Sequence, residues 1–278
     1  MKISFSSLSR CSAFIRIISF LVILVLFWLP YGTFIYFFIA DENQKTILAM
    51  VPLAIEFFVF IPVWSSYLHK QSQVYKRYGL EFTSQNGVEL LQGIAIGLIS
   101  ILILFILQAI FGWIIWQQSN TFLLKVVVEG AITGLGVAFA EEVVFRGWIL
   151  DELQRDYSPL VVVWTGASIF AISHFIKPLP LILRTSPQFL GLLLLGFVCI
   201  WAKYSCRGRL GLPIGIHGGL VWGYYIINVG QLTKYTRSVP IWLTGVNDNP
   251  LAGIIGLLFL GLLAFWMKLR VRNQVNKF

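Results

Sequence analysis

Charge is the scarcest commodity in this sequence. Charged residues make up 12% of its 278 positions, about half the roughly 25% of an average soluble domain. Hydrophobic residues make up 58%, and the mean hydropathy is +0.81. No single soluble core hides that much apolar surface at this length, which excludes an ordinary soluble enzyme and a disordered chain. Cysteine is also scarce: Cys11, Cys199 and Cys206 are too few for a disulfide scaffold and form no evident metal pair, so no role is read into them. There is no internal repeat, no low-complexity stretch and no soluble insertion. What is left is a single membrane domain over residues 1–278.

The apolar residues fall in long blocks, each near the roughly 20 residues that cross a bilayer as a helix. About eight are expected, near Phe14–Ala40, Thr46–Leu68, Val88–Trp116, Phe122–Leu150, Pro159–Ile176, Gln188–Ala202, Leu212–Val229 and Leu251–Met267. They are continuous and rich in Leu, Ile and Phe, not alternating. Since a helix satisfies its own backbone inside lipid, the expected fold is all-α, a polytopic membrane helical bundle. The first block is too long for a signal-peptide core and has no small-x-small cleavage site after it, so it is expected to stay as the first helix.

Lys and Arg mark the cytosolic loops. With the N-terminus inside, Lys2, Arg10, Arg16, Lys70, Lys76, Arg77, Arg155, Lys203, Arg207, Arg209, Lys268, Arg270, Arg272 and Lys277 fall inside. Lys45, Lys125, Lys177, Arg184, Lys234 and Arg237 fall outside. Both termini are therefore expected in the cytosol. The net charge of +9 reads as this topology signal plus attraction to anionic lipid headgroups. The cations are scattered over several loops with no interleaved aromatic platform, so nucleic acid is not an expected partner. Membrane lipid and a peptide or protein substrate are.

An ionisable group inside a membrane costs about 2.5–3.5 kcal/mol on insertion scales. Of the twelve acidic residues, Glu56, Glu129, Glu141 and Glu142 fall within apolar blocks, and two of the three histidines, His174 and His217, do the same. Glu129 follows Lys125 by four, which reads as an ion pair. In Ala140-Glu141-Glu142-Val143-Val144-Phe145-Arg146 two adjacent carboxylates point about 100° apart on a helix. Glu142 and Arg146, four apart, share a face and neutralise one another. Glu141 has no such partner and is left to face a cavity. Low dielectric favours the protonated form of a carboxyl group, and a general base at neutral pH needs that higher proton affinity. Downstream, Phe170 and His174 are four apart, and His217 sits among Gly211, Gly215, Gly219 and Gly223, a spacing that lets another helix approach closely.

The ordered set E-E-x-x-x-R, F-x-x-x-H and a glycine-flanked His resembles the CPBP family. That family comprises the CAAX prenyl endopeptidases of the Rce type and the bacteriocin-processing or immunity proteases labelled Abi. The resemblance covers residues 122–229. It implies a multi-pass intramembrane peptidase in which Glu141 activates water, His174 and His217 join it, and Glu142, Arg146 and Phe170 support the site. It leaves two mechanisms open. In one, zinc is held by Glu141, His174 and His217; in the other, a carboxylate and imidazole activate water without metal. No H-E-x-x-H is present, so a zincin arrangement is excluded. The family's last motif often reads H-x-x-x-N, but here the fourth residue after His217 is Val221, and Asn228 lies about three turns away. A backbone N–H near the glycines or Arg146 is the expected substitute as oxyanion donor. Outside peptidase chemistry, a non-catalytic scaffold or immunity protein keeping the fold is the rival. A proton-coupled transporter is a weaker one, since no repeat is present.

One geometric tension follows. The fifth and seventh blocks run the same way, which puts His174 near the outer end of one and His217 near the inner end of the other. They meet only if a boundary is misplaced or an end is recessed, and the run Arg209–Pro213 is expected to dip into the bundle and start the seventh helix deep.

Overall fold

Long Leu/Ile/Phe blocks become long helices because lipid offers their backbone no other hydrogen-bond partner. The computed structural model describes residues 8–246 and 249–275; Lys2 and Lys277 lie outside the described residues. The main helices are α1 (Ala13–Phe38), α2 (Glu42–His69), α3 (Ser84–Ile110), α4 (Leu123–Glu142), α5 (Pro159–Ser173), α6 (Phe189–Ser205), α7 (Gly211–Val229) and α8 (Ile254–Val275). Asp41 caps α2 by accepting from the Gln44 N–H, and Thr83 caps α3 by accepting from Asn86. A two-stranded ribbon, β1 (Ile114–Trp116) with β2 (Thr233–Tyr235), pairs Ile114 with Tyr235 across antiparallel strands.

Six helical stretches, not eight, are long and apolar enough to cross a membrane among the described residues: Ala13–Phe38, Gln44–His69, Ser84–Ile110, Leu123–Gln154, Leu179–Ser205 and Ile254–Arg272. The chain is a multi-pass integral membrane protein. The reduction has a physical reason. At 15 residues α5 is about 22 Å long, short of the roughly 30 Å hydrocarbon core. The glycine-rich α7 is not one of the six.

The chain divides into two compact units. In the first, residues 1–77 and 151–157, a buried charge network joins helix to segment. Arg16 Nε lies 2.7 Å from Glu152 Oε2, and His69 Nε2 lies 2.6 Å from Glu152 Oε1. Asp151 takes Arg77 at 2.6 Å and Arg155 at 2.7 Å. Asp151–Tyr157 is therefore held by paired charges. Arg16 is buried there, not lodged in a loop.

In the second unit, residues 78–150 and 158–278, α7 lies against α3 and α4, and α6 lies against α5 and α8. Small residues make this possible. A Cβ on Gly97 would sit 2.6 Å from the Ile216 carbonyl oxygen, and one on Gly219 would sit 2.6 Å from that of Ile94. Gly97→Ala is expected to destabilise by about 1–3 kcal/mol, because backbone must yield. Gly136→Ala, with nothing within 4 Å of its would-be Cβ, is expected to be neutral or mildly stabilising. Denaturation of both variants in detergent micelles checks the contrast, and equal midpoints would remove the close-approach argument.

Candidate active site

The last two residues of α4 are Glu141 and Glu142, and the helix does not continue as an α-helix. Val143–Ile149 forms a π-helix, a widened turn that often accompanies functional sites. Glu142 and Arg146 straddle this junction. Arg146 Nη1 donates to Glu142 Oε1 at 2.9 Å, and both side chains are essentially inaccessible. Arg146 also reaches the Gly196 carbonyl at 3.4 Å, and its guanidinium lies 4.1 Å from the centre of the Phe170 ring. The i,i+4 pairing read from sequence is present.

His217 stands on α7, six residues from its start. The tension between the histidines is relieved at both ends. Helix α5 stops at Ser173, three residues before its apolar run ends, and His174 is its C-cap. Helix α7 is buried continuously from Gly211 through Gly219. Both imidazoles thereby reach Glu141. Its Oε2 lies 3.9 Å from His174 Nε2 and 3.8 Å from His217 Nε2.

The ring tautomers follow from the partners of the other nitrogens. His174 Nδ1 lies 2.8 Å from the Phe170 carbonyl, which only accepts, so Nδ1 carries the proton. His217 Nδ1 lies 2.9 Å from Glu142 Oε1 and donates to it. Both Nε2 lone pairs are left toward Glu141. The adjacent glutamates thus address opposite nitrogens of one ring: Glu142 fixes His217, and Glu141 faces its reactive side. Phe170, fully buried, is the shared wall, edge-on to His174 at 4.8 Å and to His217 at 6.0 Å.

Glu141 and His174 are the accessible members, with side chains 28% and 31% exposed against 5% for His217. Glu141 Oε2 is a buried oxygen without a hydrogen-bond partner among the described residues. Oxygen-to-nitrogen gaps of 3.8–3.9 Å are too long for direct hydrogen bonds and of a size that a shared third atom spans.

Two features escape sequence reading. Lys203, counted among loop cations, is buried on α6, and its Nζ donates to the Arg146 carbonyl at 2.5 Å. Cys199, given no role, is fully buried one helical turn before Lys203. Its sulfur lies in a group with Glu142 and His217 whose ligand atoms are all within 4.8 Å of one another. Both residues belong to a helix distant in sequence from Glu142, and no local pattern announces such neighbours. The outlying candidates behave as read. Lys125 and Glu129 form an exposed pair at 3.7 Å, and Asn228 donates to the Tyr224 hydroxyl, away from His217. One expectation is corrected: Arg146 is 1% exposed and committed to Glu142, so it is not placed to meet a substrate oxyanion.

Among the described residues one group of three could hold a metal, and the three residues expected from sequence offer a different donor set. Glu142, Cys199 and His217 are buried and chemically apt, but Glu142 is already neutralised by Arg146, and a bound cation would face that guanidinium. Glu141, His174 and His217 offer one carboxylate and two neutral imidazoles with no competing cation bonded to the carboxylate. This is a usual set for a catalytic zinc, whose ligands sit about 2.0–2.2 Å from the metal. The contacts of this second set run through Glu141 Oε2, at 3.9 and 3.8 Å, whereas the group with Cys199 is the one whose ligand atoms all lie within 4.8 Å of one another.

No curated protein and no solved structure matches the chain. Residues 122–223 match the family model described as Type II CAAX prenyl endopeptidase Rce1-like. That stretch carries Glu141, Glu142, Arg146, Phe170, His174 and His217 and is similar to the family that the three motifs resemble.

Proposed function

We propose that the chain is an intramembrane endopeptidase that hydrolyses a membrane-associated peptide or protein by water attack. The observation that carries this reading is the convergence of Glu141 Oε2 with the Nε2 atoms of His174 and His217. Water held among these three atoms gives a proton to Glu141 as its oxygen attacks the peptide carbonyl. The tetrahedral intermediate collapses with cleavage of the C–N bond. Glu141 returns the proton to the departing amine, leaving a carboxylate and an amine.

The Glu142 carboxylate behind His217 accepts from its Nδ1 and orients that imidazole with Nε2 toward Glu141, as a buried acid orients the histidine of a catalytic triad. Val221, where the family's motif often has Asn, brings only an apolar side chain to this turn and lines a cavity of about 150 Å³. Zinc, if bound by Glu141, His174 and His217, supplies Lewis-acid polarisation and a more acidic bound water. Under either version the same three side chains hold the water.

The test is cleavage by the purified full chain of a panel of membrane-anchored peptides, with and without a chelator. Cleavage of at least one peptide is the expected result. Loss with chelator and recovery with zinc selects the metal version, and indifference selects the metal-free one. No hydrolysis across the panel, prenylated tails included, would overturn the reading.

A further inference from the structure

One face of α6 is turned toward the acidic pair. Gly196, Cys199 and Lys203 are spaced by three and four, so they stack along one side of the helix. Each meets the Glu142–Arg146 pair or its neighbour His217. The Gly196 carbonyl accepts from Arg146 at 3.4 Å. The Cys199 sulfur lies within 4.8 Å of the ligand atoms of Glu142 and His217. Lys203 Nζ donates to the Arg146 carbonyl at 2.5 Å. Of these three, Gly196 contributes backbone and Cys199 a weak thiol donor, and Lys203 brings the charge.

That charge is placed against habit. Lys203 stands in the last turn of α6, where a lysine ordinarily lays its stem along apolar surface and keeps its ammonium in water. Here the residue is 6% exposed, and lysine is rarely buried without a partner. What it reaches is backbone in the middle of the π-helix Val143–Ile149. A π-turn holds more residues than an α-turn and is seldom adopted. In this one the Leu150 N–H reaches back five residues to the Phe145 carbonyl. Tightening it into α-helix turns the residues that follow by about 100° for each residue taken out. The present register is the one that lays Arg146 over the Phe170 ring at 4.1 Å. Gly147, in the same turn, lies against Tyr78, where a Cβ would come 3.1 Å from the Tyr78 Cβ. The turn is thus packed through Gly147 and bonded through Lys203.

We propose that Lys203 is a positioning residue of the active site. Its ammonium holds the π-turn at the Arg146 carbonyl and so fixes the chain of contacts from Arg146 through Glu142 to His217, without itself meeting substrate. Its effect on cleavage rests on the peptidase reading; its effect on the turn does not.

The experiment compares the full chain in detergent with Lys203→Met, which keeps a long side chain and removes the donor. Lys125→Met, which loses an exposed pair at the start of α4, is the control. The unfolding midpoint, amide hydrogen exchange across Val143–Ile149, and kcat and KM for a peptide that the wild type cleaves are measured on each. Loss of a charge-assisted bond is expected to speed exchange over Val143–Ile149 by roughly tenfold or more, with exchange in α3 and α8 unchanged and the control like the wild type. In Lys203→Met, kcat is expected to fall by roughly tenfold or more, as misplaced catalytic groups do, with KM unchanged because no substrate contact is removed. Unchanged exchange over Val143–Ile149 overturns the proposal. So does faster exchange throughout with a lowered midpoint, since Lys203 then supports the fold at large. Faster local exchange with kcat intact, or a rise in KM alone, removes Lys203 from the positioning of the catalytic groups. If the wild type cleaves no peptide, the peptidase reading fails, and the exchange result alone decides whether Lys203 holds the turn.

Discussion

Glu141→Gln is expected to lower kcat/KM for any cleaved peptide by about 10²–10⁴-fold, the usual contribution of a positioned general base, with little change in stability. The glutamine keeps the shape and loses the basic oxygen. The stability half of this expectation comes from what Glu141 does not do. It has no ion-pair contact shorter than 3.8 Å, and its Oε2 has no hydrogen-bond partner among the described residues. Removing its charge breaks no hydrogen bond at Oε2 among the described residues. Peptide cleavage and detergent unfolding, run on the same preparation, separate the two effects. Unimpaired proteolysis would remove Glu141 from the mechanism. A biological role that persists in the variant would favour the non-catalytic scaffold, and substrate-coupled proton flux would favour a transporter.

The same residue shows how far the sequence carries. That Glu141 is special follows from the cost of a charge in an apolar block and from Arg146 standing one turn beyond Glu142, not Glu141. Both arguments are local, and both are present in the structure. Helix ends are harder to read. Hydropathy counts apolar side chains and is blind to where the backbone stops. The run through Phe175 and Ile176 therefore extends the fifth block past Ser173, where α5 ends. That small overshoot creates the false separation of His174 from His217. The π-helix at Val143–Ile149 has no counterpart in apolar periodicity either. Lys203 reads as a loop cation because a charge at the end of an apolar block usually is one. Its buried partner is the carbonyl of Arg146, 57 positions earlier. What remains illegible is tertiary: which carbonyl needs a donor, and which sulfur lies beside which carboxylate.

The second large effect is expected at Arg146. Removing one partner of a buried ion pair leaves the other charge uncompensated and typically costs about 3–5 kcal/mol. Here the Glu142 and Arg146 side chains are 0% and 1% exposed. Arg146→Ala is expected at the upper end of that range, because it also empties the face of Phe170 and leaves the Gly196 carbonyl without its guanidinium contact. Glu142→Ala strips Arg146 of its counter-charge and His217 of its Nδ1 acceptor together. The double replacement Glu142→Leu with Arg146→Met is expected to be less damaging than the sum of the single ones, since no lone charge remains. It is nevertheless expected to be inactive, because His217 then loses the Nδ1 acceptor that orients it. A double-mutant cycle on unfolding free energy, with cleavage measured alongside, distinguishes the contributions. If the double variant regains stability but not activity, the pair acts on catalysis by holding His217. If it regains both, Glu142 only neutralises Arg146, and the histidine finds its orientation elsewhere.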